Sequence, residues 1–199
     1  MLYYMFNKPQ GCVTACSDAV HRTVMDYFPA ELAEKLHPVG RLDKDTCGLL
    51  ILTDDGDLDF KIMQPDRHIS KTYFFYAIGS ISDEKVKRLE AGIAMKGFTS
   101  KPAQFQLCQK YRIRDLEEFM PADRREKYMK NPDGPAFSAS LTIHEGKKHE
   151  VKRMLEAVGC RIFYLRRDKI GSLSLDPALK QGDFRSLTDE EVLKLKHNE

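Results

Sequence analysis

Short apolar runs separated by polar turns dominate the first half of the chain. Apart from Gly48 and Lys71, residues 2–6, 48–53 and 71–78 are apolar, aromatic or β-branched, and each run predicts a strand. The run at 48–53 is closed by Asp54-Asp55-Gly56, which is typical of a strand that is buried on both faces and ends in a turn. The polar segment 40–46 leads directly into it, so the sequence predicts a loop there that is anchored to a buried strand.

The clearest helix signal lies at 149–158, where four apolar residues recur at the spacing i, i+3, i+4 and i+7: Val151, Met154, Leu155 and Val158. Gly159 follows as a natural helix end. At about 100° per residue, Lys152 lies at the flank of the apolar stripe and Arg153 on the opposite side. Of these two cations, Lys152 is therefore the one that could reach a partly buried partner.

The remaining elements alternate irregularly. Further strands are predicted at 138–144, 161–165 and 172–175, and further helices at 23–36 with a break at Pro29, at 82–91, and near the C-terminus after a capping box of Thr188 and Glu191. The charged segment 109–135 predicts an exposed helical excursion inserted between two strands. Strands and helices without regular βαβ alternation favour an α+β fold, and we expect one domain over residues 1–199.

Composition narrows the class of protein. With 42% hydrophobic and 31% charged residues, the 199-residue chain has the balance of a globular protein and not of a disordered one. It contains neither a run of about 18 apolar residues nor a secretory signal pattern, so we expect a cytoplasmic protein without a membrane span. Its five cysteines are scattered without a CxxC pair, which predicts free thiols and no metal site.

The net charge of +2 is distributed unevenly. Between His144 and Lys169 there are eight Lys or Arg residues against four acidic ones, and the rest of the chain is therefore net negative. Such a basic segment could bind a phosphate backbone, although a merely solvated charged surface is the commoner explanation.

Asp43 is the strongest single candidate for chemistry. It lies in the predicted loop at 40–46, flanked by Arg41, Lys44 and Asp45, so nearby positive charge could keep its carboxylate ionised for use as a nucleophile or base. The alternative is an aspartate that only caps a turn, and position alone favours that alternative.

A longer sequence pattern around Asp43 favours the catalytic role over the turn-capping one. The segment 40–53, Gly-Arg-Leu-Asp-Lys-Asp-Thr-Cys-Gly-Leu-Leu-Ile-Leu-Thr, closely resembles the signature of the pseudouridine synthases. Other stretches resemble the family in the same order: Asn7-Lys8-Pro9-x-Gly11, Lys71-Thr72-Tyr73, Thr99-Ser100-Lys101-Pro102-Ala103, Glu145 to Met154, and Leu165-x-Arg167. The Lys-Pro-Ala and Val-Lys-Arg-Met elements are most similar to the branch that modifies ribosomal RNA, and within it to the small-subunit (16S) enzyme.

The chain also departs from that pattern. The resemblance begins at about Leu2, so the N-terminal S4 RNA-binding domain usual in this branch is expected to be absent. Glu150 stands where the family commonly has glutamine, and the excursion at 109–135 is longer than the family's usual link.

The resemblance implies a fold, a reaction and three catalytic residues. The fold would be a mixed, largely antiparallel sheet flanked by helices, and the reaction would convert a uridine of ribosomal RNA to pseudouridine without a cofactor. Asp43 would be the catalytic aspartate, Tyr73 the aromatic residue against the target base, and Lys152 the basic partner of the aspartate. From the residues alone, Tyr73 could equally be a core aromatic of its strand.

Candidate RNA contacts are Arg41, Lys8, Lys101, Lys147, Lys148, Arg153, Arg166 and Arg167, each of which could also be an ordinary surface charge. The expected partner is ribosomal RNA or a ribosomal subunit precursor, bound by a monomer. Two alternatives stay open: the same chemistry on 23S ribosomal RNA or transfer RNA, and a non-catalytic RNA-binding or ribosome-assembly factor on the same fold.

Overall fold

The computed structural model describes residues 1–64 and 67–197. In this part of the chain, no helix is both long enough and apolar enough to cross a membrane. The strands are β1 Tyr3–Lys8, β2 His37–Val39, β3 Cys47–Thr53, β4 Lys71–Ile78, β5 Ala94–Met95, β6 Phe98–Thr99, β7 Gln104–Arg112, β8 Pro135–Ile143, β9 Arg161–Ile170, β10 Leu173–Ser174 and β11 Phe184–Ser186. The α-helices are α1 Ala30–Ala33, α2 Gly56–Met63, α3 Asp83–Ala91, α4 Ala122–Tyr128, α5 Glu150–Ala157 and α6 Asp189–His197, and 3₁₀ helices cover Val24–Tyr27 and Ile113–Phe119.

The chain divides into two compact units. The first contains Met1–Lys71 and Arg166–Glu199, and the second contains Thr72–Leu165. The strand β9 contributes its last residues to the first unit and its first residues to the second. The α+β class is confirmed, while one catalytic domain over residues 1–199 stays a prediction.

In the first unit, β3 is the central element. All seven of its residues are buried, as the uninterrupted apolar run predicts. It is antiparallel to β1 and β2 and parallel to β9, and β11 extends the sheet beyond β1. Leu49 and Ile51 pack in one cluster with Leu58 of α2 and Leu195 of α6. The loop before β3 is thus anchored to the best-packed strand of this unit.

Gly48 permits a very close approach of two backbones beside that loop. Its φ angle is +103°, and a β-carbon at this position would lie 2.4 Å from the carbonyl oxygen of Arg167 on β9. Any other residue would clash with that backbone and adopt a strained conformation, so the glycine fixes how β3 and β9 pair.

The second unit is built on the strand order β9, β4, β8, β7. The strands β7 and β8 form a long antiparallel pair from Gln104 opposite Thr142 to Arg112 opposite Pro135. The predicted alternation of β8 is confirmed for Ala139, Leu141 and Ile143, whose side chains are all buried.

The prediction for the segment 109–135 needs correction. Its first residues continue β7 instead of forming a helix, and only the part from Ile113 to Tyr128 is helical. It is also not simply exposed, because Leu116 and Tyr128 are buried in a cluster with Phe163 of β9. The apolar residues of this segment supply a core of their own beneath a charged surface.

The predicted helices are mostly confirmed, and several elements were missed. The four apolar residues of the predicted helix at 149–158 are buried, and Thr188 and Glu191 form the predicted capping box at α6, with N···O distances of 2.8 and 3.2 Å. The missed elements include the strands β2, β5 and β11 and the helix α2. Asp55 belongs to the turn predicted after β3, but its carboxylate accepts the N–H of Leu58 at 3.1 Å and so caps α2.

Candidate functional site

The sequence-predicted site residues fall into both units. The first unit contains Lys8, Arg41, Asp43, Arg166 and Arg167, and the second contains Tyr73, Lys101, Lys147, Lys148, Lys152 and Arg153.

Asp43 lies in the loop of residues 40–46 between β2 and β3, here called the Asp43 loop. A buried lysine donates hydrogen bonds to the backbone of this loop. Lys8, the last residue of β1, has no exposed surface, and its Nζ donates to the carbonyl oxygens of Pro9 at 3.1 Å, Asp43 at 3.1 Å and Thr46 at 2.8 Å. An ammonium group has three N–H donors, so all three are used on backbone oxygens. Burial lowers the pKa of Lys8, and nearby groups that include Asp45 and Asp43 partly oppose this effect.

Three further contacts fix the backbone around Asp43. The hydroxyl of Thr14 donates to the carbonyl of Leu42 at 2.8 Å and accepts the N–H of the same residue at 3.1 Å. The N–H of Gly11 donates to the carbonyl of Lys44 at 2.8 Å. Because both neighbours of Asp43 are fixed in this way, its half-buried side chain extends from a backbone with little freedom to move.

The predicted RNA contacts in the first unit differ in how far their side chains are exposed. Arg41 is exposed, and Arg166 is partly exposed with its guanidinium paired to Asp168 at 2.6 Å. Arg167 is only 3% exposed, and its Nε donates to the carbonyl of Leu49 at 2.8 Å. Lys8 and Arg167 therefore have no cationic surface from which to contact RNA in this structure. Lys8 instead donates to the backbone of Pro9 and of the Asp43 loop, and the Nε of Arg167 donates to the backbone of β3. A role of these two residues as RNA contacts stays a prediction.

Tyr73 lies on the buried face of β4, together with Phe75 and Ala77. It is 8% exposed. This placement is that of a core aromatic, the alternative that its strand pattern left open.

Two basic residues of the second unit, Lys147 and Arg153, lie over one aromatic ring, Phe98 of β6. The Nζ of Lys147 lies 4.2 Å from the ring centroid and the guanidinium carbon of Arg153 lies 4.6 Å from it. Arg153 also donates to the backbone carbonyl of Lys96. These cation–π contacts hold two like charges side by side on the surface.

We call this surface the basic corner; it consists of Phe98, Lys101, Lys147, Lys148 and Arg153. Sequence reasoning missed Phe98, although its place just before the Thr99 to Ala103 stretch was a usable signal. Arg153 was expected opposite the apolar stripe of α5, but Phe98 covers it, and it is half-buried like Lys152.

Two carboxyl groups lie beneath the basic corner. Glu145 accepts the backbone N–H of Lys101 at 2.7 Å and pairs with the Nζ of Lys147 at 3.4 Å. Glu150 is 3% exposed and accepts the backbone N–H of Lys147 at 2.9 Å. Both carboxyl groups therefore contact the same residue, Glu145 through the Nζ of Lys147 and Glu150 through its backbone N–H. Burial, together with the neighbouring carboxyl of Glu145, raises the pKa of Glu150 to about 7.

Comparison with known proteins gives the same family by three routes. Residues 2–157 match the RNA pseudouridylate synthase family. Over 96% of its length the chain is 39% identical to an uncharacterized RNA pseudouridine synthase of Bacillus subtilis, and it covers 72% of that protein. It is 36% identical to ribosomal small subunit pseudouridine synthase A of Haemophilus influenzae, with 97% of this chain and 73% of that protein covered.

A solved structure of a pseudouridylate synthase is similar as well. It has a TM-score of 0.81 and 36% sequence identity, with 98% of this chain and 73% of that chain covered. The fold implied by the sequence resemblance is thereby confirmed.

Proposed function

Since the chain belongs to the RNA pseudouridylate synthase family, we propose that it isomerises a specific uridine to pseudouridine in ribosomal RNA, in the first place in small-subunit (16S) ribosomal RNA. The observation that carries this proposal is the fixed backbone of the Asp43 loop, in a chain about 36% identical to ribosomal small subunit pseudouridine synthases. We further propose that the protein acts as a monomer in the cytoplasm.

In this proposal Asp43 is the catalytic residue. Isomerisation breaks the N-glycosidic bond of uridine, turns the detached uracil, and joins it to the sugar again through C5. An ionised carboxylate beside the sugar can either attack C1′ or assist formation of a glycal. Both routes need the carboxylate at a fixed position, and the support from Lys8 and Thr14 supplies that position before the substrate binds.

Tyr73 and Lys152 take the roles that the family resemblance implies. Tyr73 would contact the target base through the small part of its surface that is exposed. Lys152 would be the basic partner of the catalytic aspartate. Lys152 is half-buried on α5, which suits a cation at the edge of a site better than one in open solvent.

The basic corner would bind the RNA backbone. A uridine in structured RNA has to leave its stack before its glycosidic bond can react, and contacts to neighbouring phosphates offset that cost. Lys101, Lys147, Lys148 and Arg153 provide such contacts in the second unit, and Arg41 and Arg166 in the first. The phosphate contacts set affinity and orientation, while the chemistry depends on Asp43.

Pseudouridine mapping in cells tests this proposal. Total RNA is treated with carbodiimide, and reverse-transcription stops are compared between cells lacking the gene and cells complemented with the wild type or with Asp43→Asn. We expect one small-subunit site to be lost and restored only by the wild type. A lost site in 23S ribosomal RNA or transfer RNA would change the substrate, and an unchanged map would favour the binding-factor alternative.

A further inference from the structure

The carboxyl pair beneath the basic corner requires a proton. Glu145 and Glu150 both contact Lys147, and two ionised carboxylates are acceptors only, so these two groups can hydrogen-bond to each other only if one of them carries a proton. The Oε2 atom of Glu150 accepts the N–H of Lys147. Its Oε1 atom is buried, and within residues 1–64 and 67–197 no protein N–H or hydroxyl donates to it. A proton held between this oxygen and the neighbouring carboxyl group of Glu145 would supply the missing hydrogen bond.

The surrounding charge does not compensate two ionised carboxylates. The Nζ of Lys147 is 3.4 Å from Glu145 and also lies over the ring of Phe98. Lys101 contributes its backbone N–H to Glu145, and the guanidinium of Arg153 is directed to Phe98 and to the carbonyl of Lys96. With Glu150 almost fully buried, a second negative charge would be desolvated beside the first.

The pair also connects Lys101 and Lys147 of the basic corner. Through Glu145 it fixes the backbone of Lys101 and the side chain of Lys147, and through Glu150 it fixes the backbone of Lys147 in the turn before α5. Lys147 and Arg153 then meet at Phe98. If both carboxyls ionise, their repulsion acts on the segment that carries these cations.

We propose that Glu145 and Glu150 share one proton, and that this proton positions the basic corner for RNA, so that RNA affinity falls when the proton is lost. The link to RNA rests on the proposed function, whereas the shared proton does not. Glu150 is here a positioning residue, since it acts through the backbone of Lys147 and not on the reacting atoms.

The sign of the pH dependence follows from the raised pKa of Glu150. The carboxyl loses its proton near its usual value of 4.5 in the unfolded chain and near 7 in the folded one. Its stabilising contribution is therefore fully present below pH 4.5 and is lost as the pH rises through about 7. The basic corner should be ordered at pH 6 and loosened at pH 8.5.

The test compares the wild type with Glu150→Gln, whose amide donates a hydrogen bond to Glu145 at every pH. The control is Glu156→Gln, an exposed position on the same helix. Dissociation constants for a small-subunit ribosomal RNA transcript are measured from pH 5.5 to 8.5 at constant ionic strength. We expect the wild type and Glu156→Gln to weaken by about tenfold over this range, because the binding-competent form becomes the minor one. Glu150→Gln should change by less than about twofold.

A second measurement separates this proposal from the proposed function. Carbon-13 NMR of labelled glutamate carboxyls follows Glu150 directly, without RNA, and should show a titration near pH 7 that disappears in Glu150→Gln. A Glu150 carboxyl that titrates near 4.5, or a Glu150→Gln protein that weakens with pH as the wild type does, would overturn the shared proton. A wild type that titrates as expected but forms no pseudouridine at any pH would overturn only the proposed function.

Discussion

The Asp43 loop and the basic corner are stabilised by opposite means. Lys8 and Thr14 bind the loop through backbone oxygens and amides inside the first unit. In the second unit, the basic corner is stabilised by contacts between charged side chains, the ring of Phe98 and the carboxyl groups of Glu145 and Glu150. The first arrangement keeps a constant geometry and the second depends on protonation. A carboxylate that performs chemistry benefits from constancy, while a surface for phosphates can tolerate adjustment.

Replacing Lys8 by Met should produce the largest change, because it removes three hydrogen bonds at once, two of them to the Asp43 loop. Three carbonyl oxygens would lose their only observed lysine contact, and we expect the free energy of unfolding to fall by about 3 kcal/mol. A displaced carboxylate should lower kcat by about a hundredfold, with RNA affinity unchanged. Chemical denaturation and single-turnover kinetics measure the two effects.

Lys44→Met is the matched control, since Lys44 is an exposed lysine of the same loop. It should keep both stability and kcat. If the two variants behave alike, the support that we assign to Lys8 does not exist.

A double variant that removes the charges of Lys147 and Arg153 should have a smaller effect, and it should change RNA affinity and not the reaction rate. Two lost phosphate contacts should lower RNA affinity by about tenfold at low salt and reduce the slope of log K against log salt by about 2. The rate at saturating RNA should stay that of the wild type. Arg125→Ala with Lys130→Ala removes the same charge from the exposed surface of the excursion and should change neither quantity. Equal losses in both double variants would reduce the basic corner to general surface charge.

The smallest expected effect is that of Phe98→Leu, which keeps an apolar side chain and removes the ring. Cation–π contacts at exposed sites contribute about 0.5–1 kcal/mol each, so RNA affinity should fall by about threefold. Phe98→Tyr retains the ring and should bind as the wild type does. A loss of affinity in the tyrosine variant, with none in the leucine variant, would contradict the role of the ring. Filter binding at fixed salt resolves differences of this size.

Local patterns in the sequence were enough for the elements that surround the site. The unbroken apolar run of β3 and the i, i+3, i+4, i+7 spacing of α5 predict elements that depend on residues close together in the sequence, and both are confirmed. The place of Asp43 in a loop before β3 follows from the same reasoning. The burial of Lys8 could not be predicted in this way, because its partners Asp43 and Thr46 are 35 and 38 residues away in the chain.

Two other features could have been predicted from helical spacing, but the charged residues at those positions favoured a different interpretation. Glu150 lies four residues before Met154 and therefore on the buried stripe of α5, but a glutamate there is expected in solvent. Ile113, Leu116 and Met120 have helical spacing within 109–135, where charged residues dominate the composition. In both cases the geometry of the helix outweighed the polarity of the residue or of its neighbours.

The most direct test of the central claim is pseudouridine formation by purified protein on a small-subunit ribosomal RNA transcript, measured by tritium release from 5-tritiated uridine. Asp43→Asn is compared with the wild type and with Asp45→Asn from the same loop. We expect Asp43→Asn to bind the transcript normally and to lose activity by more than about a thousandfold, while Asp45→Asn stays active. Pseudouridine formed by Asp43→Asn at the rate of the wild type would contradict the account.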